Sequence, residues 1–291
     1  MPNFSEGRNL ENIERIVEPF RAKDGVKLLD YQKDSSHNRL VVTVVGEPDA
    51  LKTAVIEAMG RAIDLIDMRS HRGQHPRMGA TDVVPFIPLK NVSMQEAVAF
   101  SKEVAREAAK KLSLPIFLYE KSASLPERQN LADIRKGQFE GMAEKIKQPQ
   151  WKPDFGPRTI HPTAGVTAVG ARLPLVAYNV NLDSSNVAIA DEIAKKVRHI
   201  SGGLRYCKGI GIELKDRGLV QVSLNMTDYS KTALYRAFEL IKIEARRYGV
   251  NVIGSEIVGL VPMEALIDTA AYYLRLENFS MNQVLETRIW E

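Results

Sequence analysis

The sequence of 291 residues contains a single cysteine, Cys207. One thiol cannot form a disulfide within the chain, and it excludes zinc sites that need two or more cysteine ligands. Cys207 opens an apolar segment, so we interpret it as a buried structural thiol rather than as a nucleophile.

Long apolar runs are also missing. No stretch reaches the roughly 18 consecutive apolar residues that identify a membrane-spanning helix. The N-terminus lacks the basic and apolar regions of a secretory signal peptide. We therefore expect a soluble, cytoplasmic protein that has no membrane partner.

A cluster of basic residues is the third feature that the sequence lacks. The 40 Lys and Arg residues are nearly balanced by 36 Asp and Glu residues, which leaves a net charge of +4. Nucleic-acid-binding proteins usually concentrate their basic residues in a stripe or patch. We predict no nucleic-acid partner, and the mild, diffuse positive charge suits a small anionic ligand.

What the sequence does contain is two similar series of helix and strand patterns. The first reads helix, strand, strand, helix, strand and ends with the apolar run of residues 83–89. One more strand at its start would complete a βαββαβ unit, but the chain begins at Met1-Pro2, so we expect that strand to be missing. The second series, over residues 175–258, reads as a complete βαββαβ unit. In both series a Gly precedes the last strand and a Pro and a helix follow it, which indicates an internal duplication.

The segments between these series are less regular. A helix is expected from Ser93, with Glu96 at the capping-box position, and a short strand follows at residues 115–119. Residues 120–150 are expected to hold one or two short helices, and the Pro/Gly-rich residues 151–172 a crossing between the halves. The predicted fold is α+β, with two ferredoxin-like subdomains over residues 1–171 and 172–291. We expect a ligand cleft between them, because ligands favour domain interfaces.

The segment HRGQHPRMGATDVVPFIP, residues 71–88, concentrates reactive polar groups on a loop that leads into a strand. His71 and His75 are four residues apart, which on a helix would make a metal-binding pair. Gly73 and Pro76 make a regular helix improbable there, and a third ligand is missing, so we predict no metal site. The spacing of the two histidines supports two hypotheses equally. Both histidines are hydrogen-bonded loop residues, or one is a general acid/base, since imidazole titrates near neutral pH.

Two other loops are candidates for the same site. In the hairpin loop between residues 34 and 39, the polar side chains stabilise the turn by local hydrogen bonds, or else they contact a ligand in the cleft. Those side chains are Asp34, His37, Asn38 and Arg39. The glycines in residues 156–170 do not form the GxGxxG pattern of a phosphate-binding loop, so they fit close approach of the backbone to a flat ligand or another strand.

Together these motifs resemble the glutamate formimidoyltransferase family, which includes the N-terminal half of the bifunctional formimidoyltransferase-cyclodeaminase. The resemblance covers nearly the whole chain, in order. It is carried by PNFSEGRN at 2–9, HNR at 37–39, IDM at 66–68, HRGQHPRMGATDVVPFIP at 71–88, RQNL at 128–131, WKPDFGP at 151–157, PTAGVTAVGAR at 162–172, NVNL at 179–182 and VGLVP at 258–262.

The resemblance implies a homodimer of two α/β subdomains that bind folate in a cleft or tunnel. It implies transfer of the formimino group from N-formimidoyl-L-glutamate to N5 of tetrahydrofolate, in histidine breakdown, with tetrahydrofolate as co-substrate. The cyclodeaminase half is expected to be absent. Two alternatives remain: a related folate enzyme that handles a formyl group, and a non-catalytic folate-binding protein.

The resemblance also assigns residues. It implies that His75 is the catalytic acid/base. For this reaction we expect His71 to support His75 by hydrogen bonding or to line the pocket, and Arg77 and Arg39 to anchor the carboxylates of the substrates. Asp34 or Glu6 is expected to stabilise the cationic formimino carbon. The resemblance further implies a folate-binding segment made of ten consecutive residues. They are Gly156, Pro157, Arg158, Thr159, Ile160, His161, Pro162, Thr163, Ala164 and Gly165.

Overall fold

The computed structural model describes residues 1–21 and 23–289. The chain divides into two compact units, one from Met1 to Arg172 and the other from Leu173 onward. Each unit has its own sheet and its own hydrophobic core. None of the helices in the described ranges is both long and apolar enough to cross a membrane.

Among its described residues, the first unit contains six strands in one sheet and five α-helices. The strands are β1 (Asn3–Phe4), β2 (Val26–Asp34), β3 (Arg39–Gly46), β4 (Thr81–Phe86), β5 (Ile116–Glu120) and β6 (Thr167–Ala171). The helices are α1 (Leu10–Val17), α2 (Pro48–Leu65), α3 (Met94–Leu112), α4 (Leu131–Arg135) and α5 (Gln138–Lys145). The sheet order is β2-β3-β1-β4-β6-β5. Its first four strands have the ferredoxin-like arrangement, in which β1 lies between β3 and β4.

The expectation that the first strand is missing was wrong. Asn3 and Phe4 form a two-residue strand that pairs antiparallel with both β3 and β4. Phe4 is fully buried, and the amino group of Met1 donates a hydrogen bond to Pro85 O at 3.0 Å. Two residues are too few to show an alternating pattern, so the sequence does not predict this strand.

The reading of residues 151–172 as only a crossing loop was also wrong. Residues Thr167–Ala171 form β6, which lies between β4 and β5 and is parallel to both. All five residues are buried, because helices α2 and α3 cover one face of this part of the sheet and the segment with α4 and α5 covers the other. A strand buried on both faces lacks the alternation that identifies a half-buried one.

Two other expectations for this unit were confirmed. Helix α3 begins after Ser93, whose side chain accepts from Glu96 N while the Glu96 carboxylate accepts from Ser93 N. This reciprocal pairing satisfies two of the backbone donors that every helix N-terminus leaves free. The polar stretch 120–150 contains the two short helices α4 and α5.

In the part that the structure describes, up to residue 289, the second unit contains four strands and four α-helices. They are, in chain order, β7 (Val176–Leu182), α6 (Val187–Val197), β8 (Cys207–Leu214), β9 (Leu219–Met226), α7 (Leu234–Arg247), β10 (Val252–Val258), α8 (Met263–Leu274) and α9 (Leu285–Ile289). The sheet order is β10-β7-β9-β8 and every neighbouring pair is antiparallel. This is the predicted βαββαβ unit, in the same spatial order as β4-β1-β3-β2 of the first unit.

Candidate active site

The loop that begins at His71 is held against the β2–β3 hairpin by hydrogen bonds. The Asn38 side chain donates to Arg72 O at 3.0 Å and accepts from Gly7 N at 2.9 Å. Asn38 has a left-handed backbone, with φ of 51°, a conformation that Asn tolerates better than most residues. Asn38 therefore fixes the hairpin turn, the His71 loop and the N-terminal segment to one another.

Gly73 allows this loop to lie directly on the hairpin turn. A Cβ atom at residue 73 would lie 2.2 Å from His37 O and 2.8 Å from the Asn38 Cβ atom. Gln74 N donates to Ser36 O on the same turn at 3.2 Å. The absence of a side chain at residue 73 thus sets the position from which His75 projects.

His75 is half-buried within a group of cationic and imidazole side chains. Burial, together with the positive charges of Arg39 and Arg135, lowers its pKa from 6.5 to about 2. The His37 ring lies edge-on to the His75 ring, with 6.4 Å between the ring centroids. At neutral pH the His75 imidazole is therefore uncharged and able to accept a proton.

Arg39 lies on β3 next to β1, where its guanidinium donates to the Asn3 side-chain oxygen from both Nε and an Nη atom. Burial lowers the pKa of Arg39 to about 10. Among the described residues no carboxylate lies within ion-pair distance of this guanidinium. The site thus contains a largely desolvated positive charge that forms no ion pair with a described carboxylate, although Asp82 and Asp34 lie near enough to raise its pKa.

Arg135 also belongs to this site, because its charge lowers the pKa of His75, although no sequence pattern singles it out. Arg135, at the end of α4, donates to the buried Asp82 carboxylate at 2.5 Å. Its Nε atom and the Thr81 hydroxyl are buried and have no hydrogen-bond partner among the described residues. Buried polar groups are nearly always satisfied, so these two atoms are candidate contacts for a ligand. Asp82 lies within the quoted motif, but Arg135 lies in a polar stretch that carries no pattern.

Arg77 was expected to bind a substrate carboxylate, but its guanidinium contacts other residues of the chain. Its guanidinium binds Glu140 at 2.7 and 2.8 Å and donates to Gln138, to His71 Nδ1 and to His71 O. These contacts use the whole donor set of the guanidinium. The Arg77 hydrogen bonds lower the pKa of Glu140 to about 2.

His71 is buried and its ring is held from both sides. Because Arg77 Nε donates to His71 Nδ1 at 3.2 Å, the proton of the neutral ring is on Nε2, which lies 3.1 Å from Asn38 O. Burial lowers the pKa of His71, and the charge of Arg77 contributes. His71 therefore connects the Arg77–Glu140 pair to the hairpin turn.

Asp34 and His37 form a pair at the rim of the site. The Asp34 carboxylate accepts from His37 N at 2.9 Å and lies 2.6 Å from His37 Nδ1. Burial alone would raise the pKa of Asp34, but the hydrogen bonds from His37 outweigh it and lower that pKa overall. Glu6, by contrast, accepts from Arg8 N and Asn9 N, so it stabilises the segment that precedes α1.

The segment Gly156–Gly165 divides into two parts. Residues 156–159 are exposed, whereas His161 and Gly165 exchange two backbone hydrogen bonds of 3.0 Å in a tight turn. Gly165 pairs with Gly79, and Ala164 O accepts from Ala80 N at 2.9 Å. This turn therefore lies against the backbone that directly follows the His75 loop.

Two of the motifs that carried the resemblance have a structural role. Arg128, in RQNL, is buried and binds Asp154, in WKPDFGP, at 2.8 Å. It also donates to Gln150 O and Lys152 O. In the second unit, Cys207 is buried as predicted, and burial raises the pKa of its thiol to about 12.

The arrangement around His75 combines a neutral imidazole with donors that favour an anion. Such a site can remove a proton from a neutral nucleophile while guanidinium groups hold a carboxylate. Within the described residues no group of three or more His, Cys, Asp or Glu side chains could hold a metal ion.

Comparison with known proteins matches the whole chain. The family model of the formiminotransferase domain, N-terminal subdomain, matches residues 1–172, and that of the formiminotransferase domain matches residues 177–289. A glutamate formimidoyltransferase of Streptococcus pyogenes is 56% identical over 99% of this chain and 97% of its own length. A second, of Thermoplasma acidophilum, is 44% identical over 99% of this chain and 96% of its own length. A formimidoyltransferase-cyclodeaminase of Dictyostelium discoideum is 43% identical over 99% of this chain, which spans 55% of that relative.

Proposed function

This chain belongs to the formiminotransferase family, and from that premise we propose how its residues carry out the glutamate formimidoyltransferase reaction. In this reaction the formimino group moves from N-formimidoyl-L-glutamate to N5 of tetrahydrofolate. The observation that carries the mechanism is the neutral, half-buried imidazole of His75 beside two arginines.

His75 acts as the proton shuttle. The lone pair of folate N5 attacks the formimino carbon and forms a tetrahedral intermediate. His75 accepts the N5 proton and donates it to the glutamate nitrogen as the bond from carbon to that nitrogen breaks. A positioned acid/base of this kind contributes typically about 10²–10⁴-fold to the rate.

Arg39 and Arg135 are the proposed anchors for a substrate carboxylate. Arg39 has no carboxylate partner among the residues described. The Nε atom of Arg135 is a buried donor that has no hydrogen-bond partner among them. An anion bound here would offset the charges that lower the pKa of His75. The pKa would then rise towards the range in which the imidazole both accepts and returns a proton.

Arg77 is proposed as a positioning residue rather than an anchor, because Glu140 and His71 occupy its donors. Through His71 it supports the turn that contains Asn38. Asp34 supplies negative charge near the amidinium form of the donor, with His37 as its hydrogen-bonded partner. The exposed residues 156–159 and the His161–Gly165 turn are the proposed folate contacts.

The proposal is tested with purified protein, N-formimidoyl-L-glutamate and tetrahydrofolate, by following formation of the formimino-folate product. We expect turnover with this pair. Turnover only with a formylated donor would favour the related folate enzyme, and tight folate binding with no turnover would favour a binding protein.

We also propose that the protein is a cytoplasmic homodimer, as the family resemblance implies. Nearly half of the exposed large apolar side chains in the described ranges lie between Ile253 and Ile289. Clusters of exposed apolar residues often mark protein interfaces, so this segment is the candidate contact.

A further inference from the structure

A second imidazole, that of His37, is held next to His75 by contacts between two backbones. Gln74 N donates to Ser36 O at 3.2 Å. Gly73 lies directly on the hairpin turn, where a Cβ atom would be only 2.2 Å from His37 O. The two rings meet edge-on, with 6.4 Å between their centroids and 67° between their planes. The fold of the first unit therefore fixes a pair of imidazoles, of which the shuttle uses one.

The Asp34 carboxylate sets the orientation and the tautomer of the His37 ring. One of its oxygens accepts from His37 N at 2.9 Å, and the other lies 2.6 Å from His37 Nδ1. The pKa of Asp34 is lowered, so this carboxylate is ionised at neutral pH and can only accept. The proton of the neutral ring is therefore on Nδ1. The lone pair on Nε2 is available, since no described residue forms a hydrogen bond with it.

His37 is also open to water. Its side chain is 39% exposed, and that of Asp34 is 52% exposed. Nε2 can therefore take up a proton from water, and the neighbouring negative charge of Asp34 favours the imidazolium that forms. An oriented imidazole between solvent and a reactive group is suited to carry protons near neutral pH.

The proposed reaction needs one proton more than the proton that His75 shuttles. The formimino groups of donor and product are both amidines, which are protonated at neutral pH, so moving the N5 proton to the glutamate nitrogen changes no net charge. When the bond from carbon to that nitrogen breaks, its electron pair stays on nitrogen, and glutamate is released with an uncharged amine. This amine can attack the formimino carbon again until it becomes ammonium. One proton per turnover must therefore enter from water.

We propose that His37 is a second proton-transfer residue, which delivers a proton from water to the amine of the departing glutamate. The Nε2–H bond of the imidazolium breaks as the amine lone pair takes the proton, and glutamate leaves as ammonium. The neutral ring then takes the next proton from water. His37 is thereby a catalytic residue and Asp34 its positioning residue. The inference rests on the proposed function, because the amine forms only if glutamate is the leaving group.

The first test compares His37→Gln with His199→Gln, which makes the same change at an exposed histidine of the second unit. We expect His37→Gln to lower kcat by about 10²-fold, the lower end of what a positioned acid/base contributes, because water reaches this residue. Both KM values should stay unchanged, and His199→Gln should match the wild type. Thermal melts check that both variants fold. A raised KM with unchanged kcat would make His37 a binding residue and overturn the inference.

Rescue by imidazole in the buffer separates proton transfer from a structural role. Because His37 is exposed, a free imidazole can reach the space that its ring leaves. At constant pH and ionic strength, we expect added imidazole to raise kcat of His37→Gln by about 10-fold, and to leave the wild type and His199→Gln unchanged. A loss of kcat that imidazole does not restore would overturn the inference.

Asp34→Asn tests whether the carboxylate acts through the ring, and it leaves the ring in place. We expect this change to lower kcat by about 10-fold in the wild type and to cause no further loss of kcat in His37→Gln, because coupled residues are not additive. An effect on binding of the donor amidinium would appear in KM instead. Losses of kcat that multiply in the double variant would rule out positioning through His37.

Two results distinguish failure of this inference from failure of the function. If the wild type transfers the formimino group and His37→Gln has the same kcat as His199→Gln, the inference is wrong and the function stands. If the wild type shows no transfer between formimidoylglutamate and tetrahydrofolate, the function on which the inference depends is wrong.

Discussion

Burial and the positive charges of Arg39 and Arg135 give His75 its low pKa, and a control at a second histidine separates its effect on activity from effects on folding. We predict that His75→Gln lowers kcat by about 10²–10⁴-fold, because the amide cannot carry the proton between N5 and the glutamate nitrogen. Stopped-time product assays at saturating substrate measure this change. The control is His199→Gln, which alters an exposed histidine in the second unit. Near-wild-type kcat for His75→Gln would rule out the shuttle.

The same residue should make stability depend on pH. Its pKa is about 2 in the folded chain and 6.5 in the reference state. Below pH 6.5 the unfolded chain therefore takes up a proton at residue 75 that the folded chain does not, and stability falls as pH falls. Between pH 7 and 5 we predict that the wild type loses up to about 2 kcal/mol more of its unfolding free energy than His75→Gln does. Urea unfolding at both pH values measures this difference, and identical losses would contradict it.

Arg39 tests the proposed anion contact. We predict that Arg39→Met raises KM for formimidoylglutamate by about 10- to 100-fold, because a charged hydrogen-bond partner of the carboxylate is lost. Arg69→Met, which removes an exposed arginine paired with Asp67, serves as the matched control. An unchanged KM for the donor in Arg39→Met would place the carboxylate elsewhere.

For single residues, the sequence identifies reactive side chains better than it identifies the partners that they contact. Residue type and spacing single out His71, His75 and Arg77, but they do not show that Glu140 occupies the Arg77 guanidinium. That pair joins residues 63 apart in sequence. The sequence does not identify Arg135 for the same reason, since only the folded chain brings α4 close to Asp82.

Among the elements, the loop that carries His75 depends on close contact between two backbones. A methyl group at residue 73 would collide with the His37 carbonyl, which is backbone and cannot rotate away. We predict that Gly73→Ala costs about 1–3 kcal/mol of stability and lowers kcat as the loop shifts. Gly141→Ala in α5, where a Cβ meets nothing within 4 Å, should be neutral or slightly stabilising. Thermal melts and the transfer assay measure both variants, and equal behaviour would contradict the argument.

Elements with a strong local signal are the ones that the sequence predicts. The hairpin of β2 and β3, the Ser93 cap and the second βαββαβ unit have such signals, through alternation, capping residues and turns. Strands β1 and β6 do not. The first is only two residues long, and the second is buried on both faces, so its composition reflects tertiary packing rather than local pattern.

At the scale of the whole molecule, the two units share one order of four strands but have different polar side chains. The first has His75 close to the charges of Arg39 and Arg135, whereas the second has amides and a carboxylate on a sheet face. Because a fold does not determine its function, the shared topology is compatible with this division. The short sequence match at the last strand of each half is interpreted as the trace of an internal duplication.

The homodimer is the prediction that concerns the assembly. Leu274, at the end of α8, is 67% exposed and lies in the apolar segment between Ile253 and Ile289. We expect light scattering on a sizing column to give twice the chain mass of 32.5 kDa, and we expect Leu274→Glu to shift the protein towards the monomer, because a charge would be buried without a partner. Ile200→Glu, at a residue that is 87% exposed outside this segment, is the control. A monomeric wild type at micromolar concentration, or equal behaviour of the two variants, would exclude this segment as the contact.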